Sequence, residues 1–406
     1  MRHRQRLIEN AARLIVLAVA CWIVPAAVRA QSGESVVYSV TTRNTPSGLA
    51  PDKTQLSKTE IFALDPETGK QRLVFSDADS PLFLMPGGGQ RTGASGAAGG
   101  RIFAEGVLVM QPPVRHTLYF DPGAAAAIYE LSTDGSGQSR KVLDLGSNQP
   151  RADFSGLFFN SSGTELGNLN HPDNDHWYVV IHDTAAGKLL QKSELVVGGL
   201  GVPARIGWMR DDKRIFFAVD IAGDDPEAFW TTPSSPVGTY VLDASAGTTA
   251  RLAPEASLHP KIAGLEPSND LPATFIGSLP DGGYLLWDHQ RGPSGDSGTC
   301  VNEPSSDMLA CLYELDFAKK TQRIFPLPRD GAPWDFHLSP SGNLLVFTAT
   351  KVEYQRQPKF TARSTVSVWV LDLQSSKAWK VISFPPTEEV RGRESWVNLI
   401  GWLARK

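Results

Sequence analysis

The chain is poor in cysteine, with 3 in 406 residues, and poor in long apolar runs. Beyond residue 30 no stretch of about twelve residues carries apolar positions at i, i+3, i+4 and i+7, which excludes a helical bundle and a polytopic membrane protein. It also lacks a Lys/Arg cluster. Residues 31–406 hold 34 basic residues against 42 acidic, a net charge of −8, so there is no electrostatic footprint for nucleic acid and none is expected as a partner. Gly (37) and Pro (29) are plentiful but follow no strict period, and 41% of the chain is hydrophobic, which excludes collagen and disorder. What remains is a loop-rich globular protein.

Residues 1–30 read as a secretory signal. Arg2, Arg4, Arg6 and Arg13 precede an apolar stretch from Leu14 to Val24, and Val28-Arg29-Ala30 supplies a small-residue cleavage site before Gln31. Cleavage after Ala30 is expected, leaving a periplasmic or secreted protein of residues 31–406 with no transmembrane span. An uncleaved anchor competes, but the run broken by Pro25 falls short of the ~20 residues that a spanning helix needs. A lipoprotein site at Cys21 is disfavoured by the apolar Trp22, Ile23 and Val24 that follow it. In an exported chain Cys300 and Cys311 are expected to form a local disulfide, with free thiols as the alternative. No CxxC spacing or adjacent His supplies a zinc site.

Short runs of Val, Ile, Phe, Tyr and Trp between turn residues argue for an all-β fold. One pattern recurs as IFALD, IYELS, TYVLD, LYELD and VWVLD, with Phe62, Tyr129, Tyr240, Tyr313 and Trp369 in its aromatic slot. A weaker copy, VVIHD, places Val180 there and His182 in the Leu slot. Each copy is followed by a tight turn and another strand, and from the second onward is preceded by a strand pair hinged at turns such as PDGG and PSGN. Four-stranded units repeated radially predict a six-bladed β-propeller of antiparallel blades. Residues 36–76 lack a first strand, and Trp396 to Lys406 supplies one as IGWLA, echoing IGWMR at 206–210. The ring is therefore expected to close by the C-terminal strand joining the N-terminal strands. The Gly-rich stretch 87–100 leaves a seventh blade open, although it reads better as a loop.

HLSPSGNLLVF followed by VSVWVLDLQSS, and SLPDGGYLLW followed by CLYELDFAKK, resemble the WD40-like repeat of the TolB-like propeller family. The resemblance covers nearly all of residues 31–406 and implies the fold. TolB itself carries an α/β domain ahead of its propeller, a pattern this sequence does not show, so its role does not carry over. Related propellers include metal-dependent oligogalacturonate lyases with channel-mouth histidines. Here His116, His171, His176, His289 and His337 do not fall at equivalent positions. No GxSxG elbow of a prolyl oligopeptidase-type hydrolase is present.

Turns between first and second strands, and between third and fourth, are short and share one face. The opposite face receives long second-to-third connections in all units but the third, and function is expected there. Candidates on it are His171, Asp173, Asp175 and His176, able to hold a cation if their loop folds back; Asp224, Asp225 and Trp230, with Glu227 and Phe229, an acidic and aromatic loop; His289; and Tyr354, Arg356 and Lys359, of opposite charge. A polar turn and a solvated acidic loop are the bland readings of the first two groups. Channel-lining strands add Asp153, Arg205, Asn398, Trp334, Asp335 and His337. The carboxylate and imidazole of the last two lie two apart on one strand. His182 reads as exposed at a blade edge. No catalytic set and no cofactor motif is identified, and a divalent metal stays open. The sequence thus points to a non-catalytic scaffold for an envelope protein, a small ligand or a glycan. The alternative is a metal-dependent propeller lyase or hydrolase acting on an acidic polysaccharide.

Overall fold

The computed structural model describes residues 33–44, 56–78, 82–84, 95–108, 127–144, 158–173, 176–195, 201–221, 237–254, 257–262, 265–267, 273–291, 300–302, 308–355, 361–384 and 393–404. The strands are antiparallel almost throughout and adopt a propeller arrangement. Their count of sheets corrects the expectation: five sheets of nine, four, four, six and four strands are present, not six separate four-stranded blades.

The correction originates at Arg393–Ala404. This strand was expected to join the N-terminal strands in one blade and so close the ring; it does pair with Glu34–Asn44, but it lies inside the nine-stranded sheet and not at the edge of a separate blade. One edge pairs with Glu34–Asn44, from Glu34 opposite Ala404 to Asn44 opposite Arg393. The other edge is bridged in parallel to Ser95–Ala98 through Gly401 and Ala97. Gly401 sits there at φ +135°, a backbone conformation that side-chain-bearing residues rarely adopt. Two repeats that are distinct in sequence thereby merge into one sheet, folded so that Ile61 and Phe75 of one half pack with Ile102 and Tyr129 of the other.

The remaining four sheets stand apart. The second and third run from Phe158–Phe159 to Leu189–Leu195 and from Gly201–Trp208 to Thr249–Ala253, and the fifth from Ala332–Leu338 to Lys377–Ser383. The fourth gains two short extra strands, Glu266–Pro267 on Tyr284–Arg291 and Val301–Asn302 on Met308–Asp316. Cys300 and Cys311 form the expected disulfide, with Cα atoms 4.6 Å apart.

The recurring pentapeptide is the third strand of each unit. Both faces of that strand are covered, so Ile61, Ile128, Val179, Leu312 and Val368 in its first slot are buried, as are Leu64, Leu131, Leu242 and Leu371 in its fourth. The Asp that follows accepts backbone N–H groups of the next turn: Asp65 from Glu67 at 2.9 Å, Asp183 from Ala185 at 2.7 Å, Asp243 from Ala246 at 2.8 Å and Asp372 from Gln374 at 2.8 Å. Neighbouring sheets meet through large side chains, as where Phe216 stacks on Phe275 with centroids 4.0 Å apart.

Candidate functional site

Ser95–Ala98, Phe158–Phe159, Gly201–Trp208, Thr274–Ser278, Ala332–Leu338 and Arg393–Ala404, which come from all five sheets, converge on a central cavity of about 380 Å³. Phe158, Trp208, Phe275, Phe336, Ile400 and Trp402 belong to its wall, and Ser161, Arg210 and Asp212 carry it to the short-turn face. The strands can gather closely because glycines receive neighbouring side chains. A Cβ on Gly207 would lie 3.0 Å from the Phe275 ring, and one on Gly277 would lie 2.8 Å from Leu338.

His337 lines this cavity, and its Nε2 lies 3.1 Å from Asp335 Oδ1. The pair does meet, but through a bulge and not through plain strand alternation. Pairing of Ala332–Leu338 with Leu344–Gln355 shifts between Trp334 and His337, and Asp335 adopts φ +56°. The other oxygen of Asp335 accepts the Leu399 backbone N–H at 2.7 Å, and the Trp402 indole donates to the His337 carbonyl at 2.9 Å. Both residues therefore anchor the C-terminal strand, with no nucleophile against them among the described contacts. Trp334 is 45% exposed, and its indole N–H bonds Thr350 Oγ1 at 3.0 Å. Asn398 is buried.

The other predicted residues are placed less fully. Asp173, at the end of Glu165–Asp173, pairs with His176 at the start of His176–Asp183, and His176 is exposed. Asp175 lies outside the described residues, as do the side chains of His171 and Asp173. Asp153, Asp224, Asp225, Trp230 and Arg356 also lie outside them, as do the side chains of Arg205, His289 and Tyr354. Among the described residues no group of three or more His, Cys, Asp or Glu is arranged to hold a metal ion. No described helix is long and apolar enough to cross a membrane.

His182 is not exposed at an edge. It fills the covered Leu slot of its strand, its Nδ1 is buried without a partner, and burial holds the imidazole below its ordinary pKa against an opposing Gly187 backbone hydrogen bond. Sequence reasoning also singled out His289 and passed over its neighbours. Asp288 is fully buried and meets His259 Nδ1 at 2.8 Å, while Gln290 Nε2 donates to the same carboxylate oxygen at 2.5 Å. The only hint was a polar run, Asp288 to Arg291, that follows the apolar first half of Tyr284–Arg291.

The short-turn face is stitched between units. Arg101 donates to the Gly163 carbonyl at 2.7 Å and Arg140 to the Ala185 carbonyl at 2.7 Å. Arg72 reaches the Thr133 carbonyl at 2.8 Å, Arg323 the Gln374 carbonyl at 3.0 Å and the Trp379 indole the Pro66 carbonyl at 3.0 Å. Between second and third strands the sequence runs through 45–55, 109–126, 222–236, 292–307 and 356–360, which lie outside the described residues apart from Cys300 and the short strand Val301–Asn302.

No family model matches the chain. No curated protein matches it either. Solved structures do match. A chain of a nidogen–laminin complex is 11% identical, with 91% of this chain and 99% of that one covered and a TM-score of 0.43. A 6-phosphogluconolactonase-like protein of Bacteroides fragilis is 12% identical, with 90% and 97% covered and a TM-score of 0.39. An oligogalacturonate lyase in complex with manganese is 11% identical, with 84% and 78% covered and a TM-score of 0.37. The neighbours are β-propeller proteins, enzymes and binding proteins among them, and no residue here takes a role from theirs.

Proposed function

We propose that the protein is an exported, periplasmic scaffold that binds an envelope protein or a glycan through the face carrying its long connections. The observation that carries this reading is the contrast between faces: one is tied across its turns by arginine and tryptophan donors, and the other receives segments of up to 18 residues between strands. Rigid support on one side and length on the other is what a binding surface needs. The test is photocrosslinking in the intact envelope, with the crosslinker placed at Trp230 and Tyr354 or, as controls, at Lys188 and Lys320 on the short turns. Discrete protein or glycan adducts are expected from the first pair alone; equal adducts from both pairs, or none from the first, overturn the reading.

The Asp335–His337 contact favours a second reading, a metal-dependent lyase or hydrolase of acidic polysaccharide. Replacing His171, His176 and His337 together by Ala separates the two. Loss of a uronate-cleaving activity with crosslinking intact selects the enzyme.

A further inference from the structure

His182 departs from the rule of its repeat. The five other copies of the pentapeptide carry Leu in the fourth slot, and Leu64, Leu131, Leu242, Leu315 and Leu371 are all buried. His182 lies directly opposite Leu166, which packs with Phe103, Ile128 and Val142 of the nine-stranded sheet. Opposed residues share a face, so an imidazole stands where an apolar side chain is the rule, at the seam between the first and second sheets. Its Nδ1 is buried with no hydrogen-bond partner. In the imidazolium both ring nitrogens carry an N–H, so charging the ring sets a donor and part of a positive charge where they are poorly received. Burial outweighs the help of the Gly187 backbone and holds the imidazole below its ordinary pKa.

The turn that follows seats the second sheet on the first. Gly187, at φ +65°, lies against the Val142 backbone, where a Cβ would come within 2.2 Å of the carbonyl oxygen. Arg140 donates to the Thr184 and Ala185 carbonyls at 2.9 and 2.7 Å, and Arg101 to Thr184 Oγ1 at 2.7 Å. The charges around the ring are committed elsewhere: Glu130 to Arg101 and Arg140, Lys141 to Asp144, and Asp183 to the Ala185 and Ala186 N–H groups. Glu165, across the ladder from Asp183, and the exposed Lys188 complete the set, and none of these forms an ion pair with His182.

We propose that His182 is an acid-sensitive latch: charging its ring unseats the turn 184–187 from Val142 and Arg140 and opens the seam between the first and second sheets. The closed seam accepts the neutral ring. Its stability is therefore fully present above the ordinary imidazole pKa of about 6.5 and is lost as pH falls below that value. The latch does not rest on the scaffold reading, because its residues lie toward the short-turn face.

Hydrogen exchange of the purified protein, read by mass spectrometry and corrected for the intrinsic rate at each pH, tests it. In peptides covering 139–144 and 182–189, opening should rise several-fold, up to about tenfold, between pH 7.5 and 5.5. A peptide covering 366–372 of the fifth sheet should not change. His182→Leu, which restores the residue of the other copies, should abolish the rise. His182→Gln, polar but without a proton to gain, should open equally at both pH values whatever its level of opening, which keeps the test decisive if the Leu variant repacks the seam. The absence of a rise in the native protein, a rise of the same size in both variants, or one spread evenly over all sheets overturns the proposal.

Discussion

Glu130 shows how one side chain joins parts of the molecule far apart in sequence. It takes Arg101 Nε at 2.7 Å and Nη2 at 2.9 Å through its two oxygens, and Arg140 besides. Those arginines in turn hold the Gly163 and Thr184 carbonyls of the next sheet. The Arg101 hydrogen bonds, working against partial burial and helped by Arg140, lower the Glu130 pKa to about 2. A carboxylate depressed in the folded state stabilises the fold above its unfolded pKa, and that stability is lost as pH falls. Glu130→Gln should therefore destabilise the protein by about 1–3 kcal/mol at pH 7. The deficit should shrink as pH drops from about 4.5 toward 2, as read by urea titrations at several pH values. A deficit constant across that range would mean that packing, and not charge, is the contribution of Glu130.

At the scale of the element, glycines in strands mark where a neighbour needs room. Gly167 pairs with Phe158, and a Cβ built on it would lie 2.2 Å from the Phe158 ring. Its φ is ordinary, so the conflict is steric and not conformational. Gly167→Ala should cost about 1–3 kcal/mol as an overpacked site. Adding Phe158→Leu should recover part of that loss, so a double-mutant cycle in thermal melts would show coupling of opposite sign to the single costs. Simple additivity would refute the contact. The same scale explains what could be read beforehand. The pentapeptide repeat was visible because its Leu slot is buried and its Asp closes the following turn, two demands that restrict residue choice in four of the six copies, VVIHD departing at the first and IYELS at the second. The Cys300–Cys311 bridge was equally visible. His182 misled because it was read as lying at a blade edge, while the Leu slot that it occupies is covered. The Asp335–His337 contact was anticipated from spacing, but the bulge that makes it was not, since φ +56° at an Asp leaves no sequence signature. His259 with Asp288 escaped because its partners are 29 residues apart and lie outside the repeat.

The whole molecule depends on a merger that the repeat text conceals. The sequence divides Glu34–Asn44 and Ser95–Ala98 between separate units, yet Arg393–Ala404 lies between them and joins both in one sheet. It also buries Trp402 and Ile400, accepts the anchor of Asp335 at Leu399 and walls the central cavity. Deleting residues 393–406 would strip one edge of Glu34–Asn44 along its length and open an apolar flank on the first and fifth sheets. Losses on that scale are comparable to the ~5–15 kcal/mol that holds a typical domain together. The truncated chain should therefore lose near-ultraviolet circular dichroism and its cooperative melt throughout, with no loss confined to one sheet. A synthetic peptide of residues 393–406 added during refolding should restore both, because the strand contributes pairing and burial, which do not require covalent continuity. A truncated protein that melts cooperatively without the peptide would show that the other four sheets stand independently of the C-terminal strand.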